Sequence, residues 1–156
     1  MSRGTGLAAR LVALVVVAGV MAGCTRTDPG DPMTSPPLVP VGHVVGATLP
    51  RQAAGYTALG SLPAPGQLQV TYALDSDTAQ LAVVTLSTDP AFTATPLTDD
   101  HWFDHSRCGG LDQIDDKAQN ACVTPLADGV MTVVGTTVQT PEQLAALANA
   151  VVAVLP

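Results

Sequence analysis

Hydrophobic and polar side chains alternate along residues 68–74 of the chain. Over residues 68–74, leucine, valine and tyrosine alternate with glutamine, threonine and alanine, which is the period of a half-buried β-strand. The Asp-Ser-Asp-Thr segment 75–78 favours a turn, because these side chains bond to the local backbone. Residues 79–86 then predict a second strand that is apolar on both faces and is therefore central in a sheet. Together these segments predict a β-hairpin.

The C-terminal part predicts a second hairpin followed by a helix. Strands are expected at 121–126 and 130–138, joined at Asp128-Gly129, with Pro125 placing the first strand at a sheet edge. Thr140-Pro141-Glu142-Gln143 forms a capping box, and leucine, valine and alanine follow at helical spacing. We therefore predict an α+β fold in which a small antiparallel sheet of about four strands is covered by the C-terminal helix.

An apolar run without charged side chains lies near the start of the chain. Arg3 and Arg10 precede the run, which occupies residues 11–21 and is too short to cross a hydrocarbon core of about 30 Å comfortably. A short basic segment, an apolar segment and small residues before a break are typical of a secretory signal peptide. We therefore predict a signal peptide over residues 1–23 that is removed during export.

Met21-Ala22-Gly23-Cys24 follows this run and resembles the bacterial lipobox, in which small residues precede a cysteine. In that family the cysteine thiol receives a diacylglycerol, and cleavage leaves the modified cysteine as the new N-terminus. The resemblance covers residues 1–24 and implies that Cys24 is the lipidated residue, although Met21 departs from the usual leucine. It implies a protein anchored by lipid at the extracytoplasmic face of the cell membrane.

Residues 24–40 are predicted to form a lipidated, proline-rich tether, and residues 41–156 a single domain. Five prolines between Thr25 and Pro40 favour an extended chain of up to about 50 Å without helix or sheet. The chain has 13 acidic and 6 basic side chains, a net charge of −7, which argues against a nucleic-acid partner. An acidic surface is also repelled by anionic lipid, so the membrane contact is expected to depend on the lipid at Cys24.

The three cysteines fit an exported protein. If Cys24 carries lipid, Cys108 and Cys122 remain, and two remaining thiols in an oxidising compartment predict a structural disulfide. Closing a loop of about 15 residues would stabilise the fold by about 3 kcal/mol. The spacing is not that of a Cys-X-X-Cys motif, which argues against a redox-active pair.

Residues 99–105, Asp-Asp-His-Trp-Phe-Asp-His, hold the best candidates for chemistry. Imidazole and carboxylate groups bind Zn²⁺ or Cu²⁺, and His101 and His105 would share one face of a helix. On a strand the two histidines would lie about 13 Å apart, which is too far for one ion. A third ligand would have to come from elsewhere, for example from His43. A solvated loop is the alternative, and we predict no cofactor.

The sequence contains no recognisable catalytic motif, so we predict no enzymatic activity. The Ala-, Gly-, Val- and Thr-rich composition, with arginine favoured over lysine, resembles that of small actinobacterial cell-envelope lipoproteins, the mycobacterial kind included. The leading hypothesis is a membrane-anchored binding or interaction module with an unknown protein or small-molecule ligand. The alternatives are a metal-binding envelope protein using His101 and His105, and an envelope hydrolase. A pocket lined by apolar sheet residues would favour the first.

Overall fold

The computed structural model describes residues 32–33, 39–89, 91–92, 95–111, 119–136 and 139–156. These residues form one antiparallel sheet and one helix. The strands are β1 (Pro32–Met33), β2 (Gln52–Ala53), β3 (Tyr56–Ala64), β4 (Gln67–Leu74), β5 (Asp77–Ser87), β6 (Thr98–Phe103), β7 (Ser106–Leu111), β8 (Gln119–Leu126) and β9 (Gly129–Gly135). The helix is α1 (Pro141–Val152). No helix in the described ranges is long and apolar enough to cross a membrane.

The sheet consists of two meanders that meet at its centre. Its strand order is β1-β6-β7-β8-β9-β5-β4-β3-β2. Strands β2 to β5 form one meander and β6 to β9 the other, and β5 pairs with β9 from Ala82–Gly135 to Ser87–Val130. The segment between β5 and β6 must therefore cross from the centre of the sheet to its far side.

The predicted sheet of about four strands is wrong, because the sheet has eight strands between Gln52 and Gly135 and β1 as a ninth. The two predicted hairpins are present as β4–β5 and β8–β9, so the error lies in the strands that were not predicted. Strands β3, β6 and β7 have no regular alternation, since β3 is largely exposed, β6 is polar and β7 contains two adjacent glycines. Strands β3 and β6 are largely exposed, so burial does not select apolar residues there.

Helix α1 covers one face of the sheet, as predicted. The predicted capping box is formed: Gln143 N–H donates to Thr140 Oγ1 at 3.3 Å, and Thr140 N–H donates to Gln143 Oε1 at 3.0 Å. The helix packs across β7, β8 and β9. The core between them combines one face of the helix with alternate strand residues: Val70, Tyr72, Ala82, Val84, Leu86, Met131 and Val133 from the sheet, and Leu144, Leu147, Ala148 and Val151 from the helix.

Pro125 does not place β8 at an edge, which corrects the prediction from the sequence. Strand β8 lies between β7 and β9. The pairing of β7 with β8 ends at Arg107–Val123, whereas β8 continues along β9 and pairs Pro125 with Val130. Pro125 therefore lies beyond the last pair of β7 with β8, so the β7–β8 ladder does not need its N–H.

The strand β1 falls within the segment for which the prolines predicted no sheet. Pro32 pairs with Phe103 and Met33 with Trp102, so β1 is a two-residue strand on the outer side of β6. Proline is compatible with an outermost strand, because no further strand needs its N–H. The proposed boundaries of the leader, the tether and the domain stay predictions.

Asp128 fastens the chain that precedes β2 to the turn between β8 and β9. The backbone N–H groups of Val44 and Val45 donate to the two oxygens of its carboxylate. These two bonds, with a smaller contribution from His43, hold the pKa of Asp128 below its ordinary value. Since Ala127 N–H also donates to the Gly42 carbonyl at 3.0 Å, this segment is joined to the sheet at three backbone positions.

Candidate functional site

The predicted disulfide is confirmed and lies beneath the helix. Cys108 of β7 and Cys122 of β8 are cross-strand partners whose Cα atoms are 4.0 Å apart, and their sulfur atoms are bonded. Both residues are fully buried, and Cys122 Sγ lies 3.8 Å from the carbonyl oxygen of Pro141 at the start of α1. This position fits the structural role that the sequence predicted. Cys24, the predicted site of lipidation, lies outside the described residues.

The structure places the three histidines on separate elements. His101 is exposed on β6, whereas His105 occupies the turn between β6 and β7, with its Nε2 atom 3.4 Å from Asp104 Oδ1. Because this segment is a strand and a turn, the two imidazoles do not have helical i, i+4 spacing. His43 lies elsewhere, with its Nδ1 atom 3.7 Å from Asp128 Oδ2. In the part of the chain that the structure describes, no group of three or more His, Cys, Asp or Glu residues could hold a metal ion.

The face of the sheet opposite the helix carries a groove of about 480 Å³. Two cross-strand pairs, Val83–Val134 and Thr85–Thr132, form its floor on β5 and β9. Further lining comes from Gln67, Gln69, Leu81, Phe92, Gln119, Gly135 and Thr136. Because β5 and β9 each pair with strands on both sides, the floor belongs to the central and most constrained part of the sheet.

Alternation along β5 explains why apolar side chains reach this groove. Ala82, Val84 and Leu86 point into the core under the helix and are fully buried. Leu81 and Val83 point to the opposite face and are only half-buried. The sequence predicted a central strand with two apolar faces, which is confirmed for β5, but it contained no signal that one of these faces would line a groove.

Phe92 reaches the groove from the segment that connects β5 to β6. Local bonds shape this segment: Ala91 N–H donates to Asp89 Oδ1 at 2.9 Å, and Thr95 Oγ1 donates to the Phe92 carbonyl at 2.7 Å. Arg107 of β7 then donates from Nη2 to the Thr95 carbonyl at 2.9 Å, which ties the segment to the sheet. Phe92 is held at the rim of the groove, where 37% of its surface is exposed.

The groove offers apolar contacts and neutral hydrogen-bonding groups. None of the eleven described residues that line it carries a charge. Its polar side chains are the amides of Gln67, Gln69 and Gln119 and the hydroxyls of three threonines. The hydroxyl of Thr136 is buried and has no hydrogen-bond partner among the described residues. Comparison with protein-family models, curated proteins and solved structures finds no match for this chain.

Proposed function

We propose that this chain is a lipid-anchored, extracytoplasmic binding module that holds an uncharged ligand in the groove on the open face of its sheet. The groove over Val83 and Val134 is the observation that carries the proposal, because it is a pocket whose floor includes apolar sheet residues. The lipobox-like segment that ends at Cys24 supports the anchored location. The metal-binding alternative through His101 and His105, and the hydrolase alternative, stay predictions.

The lining of the groove determines the chemistry of the ligand. A charged group placed over Val83 and Val134 would lose water without gaining an opposite charge, which is unfavourable. A neutral ligand with an apolar face would bury that face against the two valines and Phe92. Its polar groups would meet the amide and hydroxyl groups of the glutamines and threonines that line the groove. The ligand class is therefore an uncharged molecule with both apolar and hydrogen-bonding surface.

Substituting Val83→Lys should weaken binding of a neutral apolar probe at least about tenfold, which corresponds to about 1.4 kcal/mol. The reason is that the lysine fills the floor and brings a charge into a groove whose described lining contains no acidic side chain. Nile red is a suitable probe. Its fluorescence would be titrated with the full-length chain, which is first extracted in a mild detergent and then diluted below the critical micelle concentration of that detergent.

Ala79→Lys is the matched control for this experiment. Ala79 lies on the same strand, is exposed and does not line the groove, so its substitution adds the same charge without blocking the floor. We expect Ala79→Lys to bind Nile red as the unchanged chain does. Equal affinities of the Val83→Lys and Ala79→Lys chains would contradict the assignment of the groove as the binding site.

The anchor requires a separate test, because binding in the groove does not depend on it. In a bacterial host fed an alkyne-modified fatty acid, we expect the unchanged chain to acquire the label and Cys24→Ala to lose it completely. The reason is that only the thiol of Cys24 can form the thioether expected from the lipobox resemblance. Cys108→Ala is the control and should keep the label. Labelling of the Cys24→Ala chain would show that the anchor lies elsewhere.

A further inference from the structure

The outer edge of β3 is largely without a partner strand in the described part of the chain. Strand β2 pairs only with Tyr56 and Thr57, whereas β3 continues to Ala64. Ala58 N–H also donates to the Arg51 carbonyl at 2.8 Å, so residues 59–64 form an open edge about 20 Å long at about 3.3 Å per residue. Open edges of this kind readily pair with another chain.

A β-bulge places a leucine outward at this edge. Ala58 pairs with Tyr72 and Gly60 with Thr71, so the residue between them, Leu59, is the extra residue of the bulge. Leu59 is 64% exposed, and Leu62 further along the same strand is 70% exposed. Two large aliphatic side chains therefore project from one short edge. A second strand that pairs with this edge would bring its own side chains beside these two leucines.

Two hollows adjoin the projecting leucines. The larger, of about 710 Å³, lies between residues 49–52 and residues 57–61, with Val70 at its base. The smaller, of about 290 Å³, is lined by Leu59, Leu62 and the neighbouring residues of β3 and β4. Projections and hollows thus lie side by side on one edge. A surface of this kind can match a copy of itself related by a two-fold axis.

The hairpin that carries this edge is also uncharged, although Arg51 lines the larger hollow beside it. The β3–β4 hairpin, residues 56–74, contains no charged side chain, although the whole chain has a net charge of −7. Two copies of an acidic protein repel each other through surfaces that carry carboxylates, whereas this hairpin brings no carboxylate of its own to the contact. An uncharged apolar patch on an acidic protein is therefore best matched by the same patch of a second copy.

We propose that two copies of this chain associate through the β3 edge, with antiparallel edges centred on Ser61. The Leu59 and Leu62 side chains of each copy enter the hollows of the other, and the open backbone groups of β3 pair across the two-fold axis. Pro63 lacks an N–H and limits the pairing to a short stretch. Because the edge is short, we expect a weak dimer, and the fraction of chains in the dimer should rise with protein concentration. This proposal does not depend on the groove or on the lipid anchor.

A cysteine introduced at Ser61 tests the proposal directly. Opposite residues of an antiparallel pair have Cα atoms about 4.5–5.5 Å apart, within the range that a disulfide spans. We expect the full-length Ser61→Cys chain, extracted in mild detergent and mildly oxidised at about 100 µM, to run mainly as a disulfide-linked dimer on a non-reducing gel. The Thr78→Cys chain, with a cysteine at an exposed position of β5, should remain monomeric under the same conditions.

Second substitutions distinguish a specific interface from random collisions between copies of the chain. Adding Leu62→Asp to Ser61→Cys should reduce the linked dimer at least tenfold, because it places two carboxylates between the copies. Adding Val154→Asp, at a residue that is 56% exposed near the C-terminus, should leave the linked dimer unchanged. Two results would overturn the proposal: Ser61→Cys that crosslinks no better than Thr78→Cys, or crosslinking that Leu62→Asp does not reduce. Capture of a different protein by the Ser61→Cys chain in place of the dimer would equally overturn it.

Discussion

Replacing both Cys108 and Cys122 with alanine should lower the free energy of unfolding by about 3 kcal/mol and the melting temperature by roughly 10 °C. The disulfide closes a loop with a sequence separation of 14 residues, and in the chain-entropy account its loss gives the unfolded chain more conformations. Both sulfur atoms are fully buried between the sheet and the helix, so the substitution also removes packed volume. Urea denaturation followed by circular dichroism measures the effect.

A reducing agent provides the control for this variant. Reduction should destabilise the unchanged chain by a similar amount, whereas the double variant should show the same unfolding curve with and without the reductant. A loss below about 1 kcal/mol in the double variant would contradict the view that this bond is a main support of the fold. If the reductant also destabilises the double variant, its effect on the unchanged chain does not come from the disulfide.

Local chemistry explains which elements could be predicted from the sequence. The capping box at Thr140 and Gln143 is formed by neighbouring residues, so its geometry depends little on the rest of the fold. The β4–β5 hairpin combines regular alternation with a short turn, which again is local information. The disulfide was predicted by counting the thiols of a chain that was itself predicted to be exported. Each of these predictions is confirmed.

Strands β6 and β7 show why the remaining strands could not be predicted. In β6, Asp99 has a positive φ of 48° and interrupts the regular ladder, and the strand is mostly exposed. In β7, a Cβ atom at Gly109 would lie 2.6 Å from the Thr98 carbonyl oxygen and 3.0 Å from Asp100 Cα. Glycine is therefore needed because β6 approaches closely, although two adjacent glycines in a sequence normally indicate a turn.

The candidate site also could not be predicted, because it is formed by residues that are far apart in the sequence. The sequence identified His101 and His105 through their residue types, but His101 lies on a strand and His105 in the turn that follows it. The groove contains ordinary valine, threonine and glutamine residues that carry no motif. Its floor appears only when β5 pairs with β9 and when the segment carrying Phe92 is placed at its rim. Neither contact has a local signature.

The two faces of the sheet therefore have separate roles, since the helix side holds the core and the open side holds the groove. Val84 and Leu86 of β5 contribute to the core, whereas the alternate residues Val83 and Thr85 of the same strand line the groove. A change under the helix should consequently alter stability without altering the lining of the groove. This separation can be tested with a single core residue.

Leu147→Ala should lower the free energy of unfolding by about 2–5 kcal/mol and leave Nile red affinity of the folded chain within about twofold. Leu147 is fully buried on the face of α1 that packs on the sheet, so its truncation leaves a cavity there. Val154→Ala is the control, because Val154 is 56% exposed and its truncation should cost less than about 0.5 kcal/mol. A cost below about 1 kcal/mol for Leu147→Ala would contradict the packing of α1. A large loss of Nile red affinity, measured under conditions where the variant is folded, would show that the two faces are not independent.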